Sequence, residues 1–175
     1  MFLIPELLHE YGYEYSLYVD GDTYCNSLFE IPRILESVHF CGVRQPEKFN
    51  RRGVVNTGVI FFNNKKCVQS KLTEDVKELY KKFTFTGDQH LFNKLIYMRK
   101  YNFRQIDFKY NVMFRDQKIM DKCKKGKTIQ HLEINDKIKI VHFMAGKPEK
   151  PQNEVGNNYR IRNEFAKLYN GIEIK

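Results

Sequence analysis

The sequence predicts a mixed α/β domain, and three observations carry that reading. Two runs rich in β-branched and aromatic residues, Tyr15 to Val19 and Val54 to Phe62, have the composition of strands, the second fit for a fully buried position. Between and beyond them, Val68, Leu72, Val76, Leu79 and Phe83 recur at spacings of 4, 4, 3 and 4, which places them on one face of an amphipathic helix. Finally, 14 Phe and 11 Tyr among 175 residues supply enough apolar volume for a core despite a negative mean hydropathy, so the chain is expected to fold as one domain spanning residues 1–175.

The remaining elements follow in order. Ile4, Leu7, Leu8 and Tyr11 fall at helical spacing and predict a short helix ahead of the first strand. Pro32 to Val38 reads as a short helix, and Gly42 to Gly53, with Pro46 and the pair Arg51-Arg52, as a loop. Gln89 to Lys100 carries Leu91, Phe92, Leu95 and Ile96 at helical spacing, with Asp88 placed to cap it. Strands are expected at Phe103 to Tyr110 and Lys137 to Phe143, and a helix from Arg162 to Tyr169 stopped by Gly171. Residues 147–158, with Pro148, Pro151 and Gly156, read as a flexible segment.

Thirty Lys and Arg against 21 Asp and Glu give a net charge of +9, which favours anionic partners. The densest basic run, Lys122 to Lys127, has no helix-turn-helix, zinc finger or RNP aromatic pair beside it, so it reads as a solvated loop and nucleic acid is disfavoured. Cys25, Cys41, Cys67 and Cys123 form no C-x-x-C pair and read as free thiols of a reducing compartment. With no cleavable leader and no run of about 18 apolar residues, the expectation is a cytoplasmic protein without a transmembrane segment.

The chemistry concentrates where the first strand ends, at Asp20-Gly21-Asp22. If strand geometry continued, both carboxylates would point to one face and form a chelating pair, with Gly21 leaving room for a cation. Hard divalent cations such as Mg²⁺ and Mn²⁺ suit one or two carboxylates plus substrate phosphates. A plain hairpin turn accounts for Asp-Gly equally well.

Four segments in order, Leu17 to Thr23, Asn56 to Asn63, Gly87 to Asn93 and Val141 to Pro148, resemble the glycosyltransferases of family 8 and their relatives, which have the GT-A fold. The resemblance implies a GT-A type mixed sheet flanked by helices and a metal-dependent transfer of a hexose from a nucleotide-sugar, foremost a UDP-sugar, to a carbohydrate or protein acceptor, with retention of anomeric configuration. It places Mn²⁺ or Mg²⁺ on Asp20, Asp22 and His142, the last of these otherwise readable as a core histidine at a strand end. It places Asn56, Thr57 and Gly58 near the donor sugar, with Thr57 a mild departure from the family's N-[AS]-G, and Asp88 and Gln89 beside the reacting centre. Asn93, one turn after Gln89, would face the same pocket. Gly146 and Lys147 fall near the family's H-x-x-G-x-x-K-P, with Gly146 four residues after His142 and no Trp completing the motif, so that Lys150 competes with Lys147.

Only 19 residues precede Asp20, whereas the family places a nucleotide-binding half before the D-x-D pair. The resemblance therefore describes an N-terminally truncated catalytic part, whose donor site would be completed by a missing segment or a second polypeptide. Two other function classes compete with the enzyme: a non-catalytic GT-A remnant that serves as a binding module, and a metal-dependent phosphotransferase or nuclease.

Overall fold

The computed structural model describes residues 1–25, 29–45, 53–98, 100–113 and 139–142. The expected flexible segment 147–158, the Arg162 to Tyr169 helix, and Gly146 and Lys147 lie outside these. Packing resolves two compact units, one of Met1–Asp20 with Phe29–Tyr110, the other of Gly21–Leu28 with Asn111–Lys175.

The first unit is an α/β layer. Helix α1 (Ile4–Glu10), with Pro5 in its first turn, leads into strand β1 (Tyr15–Val19). A 3-10 turn (Arg33–Ser37) precedes β3 (Phe40–Arg44), and β4 (Val55–Asn63) follows. Three helices come next, α2 (Asn64–Gln69), α3 (Leu72–Lys82) and α4 (Asp88–Tyr97), and then β5 (Phe103–Gln105). The sheet order is β1-β4-β3-β5, with β4 antiparallel to both neighbours and β5 parallel to β3. All nine residues of β4 are buried, as its run of Val, Ile and Phe requires. Phe40, Phe62, Phe92 and Tyr101 form the aromatic heart of the core, with the Phe40 ring 5.0 Å from Phe92 and 5.6 Å from both Phe62 and Tyr101.

The second unit holds a small sheet of β2 (Thr23–Cys25), β6 (Val112–Met113) and β7 (Ile140–His142) in the order β2-β7-β6. β2 runs antiparallel to β7 and β6 parallel to it.

Four sequence expectations change. The 68–83 helix is two helices, broken at Lys71, whose left-handed backbone (φ 57) stands immediately before the first residue of α3. Gly42 lies inside β3 and not in a loop: a Cβ there would stand 2.9 Å from Ile60 Cδ1, so any other residue would push the Ile60 side chain aside. In α1, Leu7 is exposed, as is Tyr11 just beyond the helix, and the helix turns Pro5 inward together with the neighbouring Phe2. Phe103 to Tyr110 holds only the three-residue β5 and then a 3-10 turn, Phe108–Tyr110.

Candidate functional site

Asn56, Thr57 and Gly58 lie among the first four residues of β4, and Asp20 bonds there. Between Gly42 and Val43 the β3–β4 register jumps from Ile60 to Asn56, so Thr57, Gly58 and Val59 drop out of the β3 ladder. The Asn56 side chain shapes this departure, its Oδ1 accepting the Gly58 N–H at 3.0 Å. Asn56 and Thr57 are both buried, which makes the Asn56-Thr57-Gly58 segment a fixed stretch of backbone.

On the other side of β4, β1 pairs in a register that sets Val19 opposite Val59. Asp20 comes next, and its N–H donates to the Gly58 carbonyl at 2.9 Å. The Tyr18 hydroxyl donates to Asp20 Oδ1 at 2.7 Å, since side chains two apart on the strand share a face. The chain then leaves strand geometry: Gly21 and Asp22 form a turn before β2. A turn, and not the pleat of the strand, therefore follows Asp20 and carries Asp22.

In the second unit, Thr23 on β2 faces His142 on β7 in the antiparallel register, and the residue before Thr23 is Asp22. This brings Asp22 Oδ1 to 3.3 Å from His142 Nε2. His142 is buried and Asp22 half-buried. A carboxylate and an imidazole at this distance form an ion pair when the ring is protonated, and offer an oxygen and a nitrogen ligand to a borderline cation when it is neutral.

Asp88 and Gln89 open α4. The N-cap position is occupied by Gly87 in extended backbone, so Asp88 is the first helical residue and not the cap. Its Oδ1 accepts the Gln89 N–H at 2.7 Å, and the side chain is exposed. Asn93 departs from expectation. Its Oδ1 accepts the Val55 N–H at 2.8 Å, and its Nδ2 donates to the Val55 carbonyl at 3.0 Å and to the Gln89 carbonyl at 2.8 Å. Asn93 thus clamps the first turn of α4 to the residue preceding Asn56. Residues 55–58 therefore carry Asp20 on one side and the Asp88-Gln89 turn on the other. Sequence reading did not identify Asn93 as a clamp or Tyr18 as the partner of Asp20; only the alternation along β1 pointed toward Tyr18.

Among the described residues, no helix is long and apolar enough to cross a membrane. The family model described as Glycosyl transferase family 8 matches residues 2–154. A search of curated proteins found no match. Among solved structures, the chain is similar to the glycosyltransferase GlyE of Streptococcus pneumoniae TIGR4, with TM-score 0.61 and 19% identity over 96% of this chain and 45% of GlyE. It is also similar to an active-site mutant of LgtC, with TM-score 0.62 and 16% identity over 95% of this chain and 66% of LgtC. The galactosyltransferase LgtC in complex with donor and acceptor sugar analogues matches with TM-score 0.54 and 15% identity, over 89% of this chain and 61% of that one. The chain thus spans about half to two thirds of the length of these proteins, and the likeness at such identity is one of fold, the GT-A arrangement of a mixed sheet with helices.

Proposed function

Because the chain belongs to glycosyl transferase family 8, we propose that it takes part in metal-dependent transfer of a hexose from a nucleotide-sugar, a UDP-sugar foremost, to a carbohydrate or protein acceptor. The observation that carries this reading is the convergence on residues 55–58, where Gly58 bonds Asp20 and Val55 bonds Asn93, so that the carboxylate turn and the Asp88-Gln89 turn share one rigid support. LgtC, solved with donor and acceptor sugar analogues, supports the choice of substrate class.

The residues fit a divalent cation. Asp20 and Asp22 would supply oxygen and His142 nitrogen, a donor set suited to Mn²⁺ or Mg²⁺. When bound, such an ion offsets the charge on a departing nucleoside diphosphate. The chain's own groups do the rest. Tyr18 orients the Asp20 carboxylate, and the Asp22–His142 contact keeps both groups near their ligating positions. Asn56 holds the backbone at Thr57 and Gly58 in a form able to bond a sugar hydroxyl. Asp88, with one oxygen on the Gln89 N–H, presents its second oxygen to balance positive charge at an anomeric carbon. Retention of configuration and a role for Lys147 and Gly146 in holding the donor phosphates belong to this same proposal.

The second reading is a binding module without turnover. One experiment separates the two. UDP binding is measured by calorimetry with and without Mn²⁺, alongside hydrolysis of UDP-glucose and UDP-galactose. The transferase reading expects Mn²⁺-dependent UDP binding, abolished in Asp22→Asn and His142→Ala, together with release of free sugar. Binding without sugar release supports the module, and UDP binding indifferent to Mn²⁺ and to both substitutions refutes the metal site.

A further inference from the structure

The connection from α3 to α4 carries an aromatic cluster that the transfer reaction does not use. Tyr80 is 55% exposed, Phe83 47%, Tyr97 80% and Met98 52%, all in the first unit. Tyr80, Phe83 and Tyr97 are linked through Phe85 and Lys94. Phe85, packed on the core, is the root: its ring centroid lies 5.5 Å from Tyr80, 6.3 Å from Phe83 and 5.2 Å from His90. Lys94 Nζ sits 4.8 Å above the Phe83 ring and 6.0 Å above that of Tyr97, joining the α4 end to the rest. Around the cluster the chain is basic, with six Lys and Arg against two Asp and Glu between positions 77 and 100. Lys81 and Lys82 close the last turn of α3 immediately before Phe83.

We propose that this face docks on an anionic lipid bilayer. Rings with an apolar body and a polar edge, as in Tyr, settle at the headgroup boundary, and lysines beside them meet the negative surface of the leaflet. Neither component alone points there. An exposed aromatic cluster without charge would suit many partners, and scattered lysines would be ordinary solvation. Here one cation, Lys94, is set into the aromatic cluster and occupies ring faces that a sugar would need for stacking, which favours a charged interface over a carbohydrate. The exposed rings of Tyr80, Phe83 and Tyr97 would lie on the membrane and not through it.

The test is co-sedimentation of the whole chain with vesicles of phosphatidylcholine, alone or mixed with phosphatidylglycerol, in the absence of metal and donor, so that its outcome is independent of the transferase reading. The protein is expected to pellet with the mixed vesicles, to stay in solution with phosphatidylcholine alone, and to be released by salt. Lys81→Gln with Lys82→Gln should lower the partition about 25-fold, at roughly fivefold per lysine. Phe83→Ser with Tyr97→Ser should lower it about tenfold through lost apolar contact. All four positions are exposed, so unchanged melting is expected and is checked for each variant. Failure of the wild type to pellet, or equal capture of the aromatic variant, overturns the proposal. So does protection of the Tyr97 ring resonance by a soluble maltooligosaccharide without vesicle binding, which would assign the cluster to carbohydrate.

Discussion

Replacing Asn93 by alanine would strip both backbone groups of Val55 of their partners. Val55 is fully buried, and its N–H and C=O each bond the Asn93 amide, at 2.8 and 3.0 Å. Leaving a buried donor or acceptor unpaired costs about 1–3 kcal/mol each, so the pair amounts to roughly 2–6 kcal/mol. Water reaches part of this half-buried junction, which brings the expectation to about 3 kcal/mol, a large share of the roughly 5–15 kcal/mol of a typical domain. With a urea dependence of about 2 kcal/mol per molar, the midpoint followed by circular dichroism should fall by about 1.5 M. Asn93→Asp sharpens the test. Its carboxylate can accept from Val55 N–H but faces the Val55 and Gln89 carbonyls without a proton to give, so it should be destabilised at neutral pH and recover partly as acid restores an O–H donor. A midpoint for Asn93→Ala within about 0.3 M of the wild type would refute the clamp and return Asn93 to the role of a pocket-facing residue.

Gly42→Ala should cost about 1–3 kcal/mol in thermal unfolding, because the new methyl would stand 2.9 Å from Ile60 Cδ1 and the isoleucine must shift. Burial first, and then Lys66 and Lys100, hold His39 below its ordinary 6.5, while its Nδ1 accepts the Asn102 N–H at 3.1 Å. The unfolded chain therefore binds this proton at higher pH than the folded one, so stability present above pH 6.5 is lost as pH falls below it; His39→Asn should flatten that part of a urea-midpoint-against-pH curve, and an unchanged slope would contradict the assignment. Burial pushes the Cys41 thiol up to about 12 and Cys67 still higher, so in a disulfide-exchange titration exposed Cys25 should react ahead of both, which become available only on unfolding. Asp88→Asn should leave the melting temperature nearly unchanged and lower sugar transfer about a hundredfold; equal activity would confine Asp88 to shaping the first turn of α4.

What the sequence disclosed depended on whether a signal was local. β4 was legible as a continuous apolar run, and α1, α3 and α4 from their periods. Periodicity does not say which flank finds a partner, hence the exposure of Leu7 and Tyr11. The spacing from Val68 to Phe83 runs across the α2–α3 break because a left-handed residue at Lys71 resets the helix without disturbing the pattern. The short β2 and β6 exist through their pairing with β7, for which three or two residues carry no local propensity. In the site, Asp20, Asn56 and Asp88 could be named from short segments. That Asp20 bonds Gly58, and that Asn93 faces the backbone of Val55, arises from strand register and helix docking between residues 38 apart.

The complete burial of β4 has a kinetic meaning. A central strand enclosed on every residue opens only when its sheet opens, so the amides of Ile60 to Phe62, paired with β1 on one side and β3 on the other, should exchange with solvent on the timescale of global unfolding, far slower than those of Gly21 and Asp22 in the turn. In the proposed transfer reaction, a ligand meeting this strand would find it already in its final shape. The ordering entropy of binding then falls on the turn and on whatever the ligand itself must give up, which makes the turn, and not the strand, the place where affinity can be adjusted by stiffening the chain.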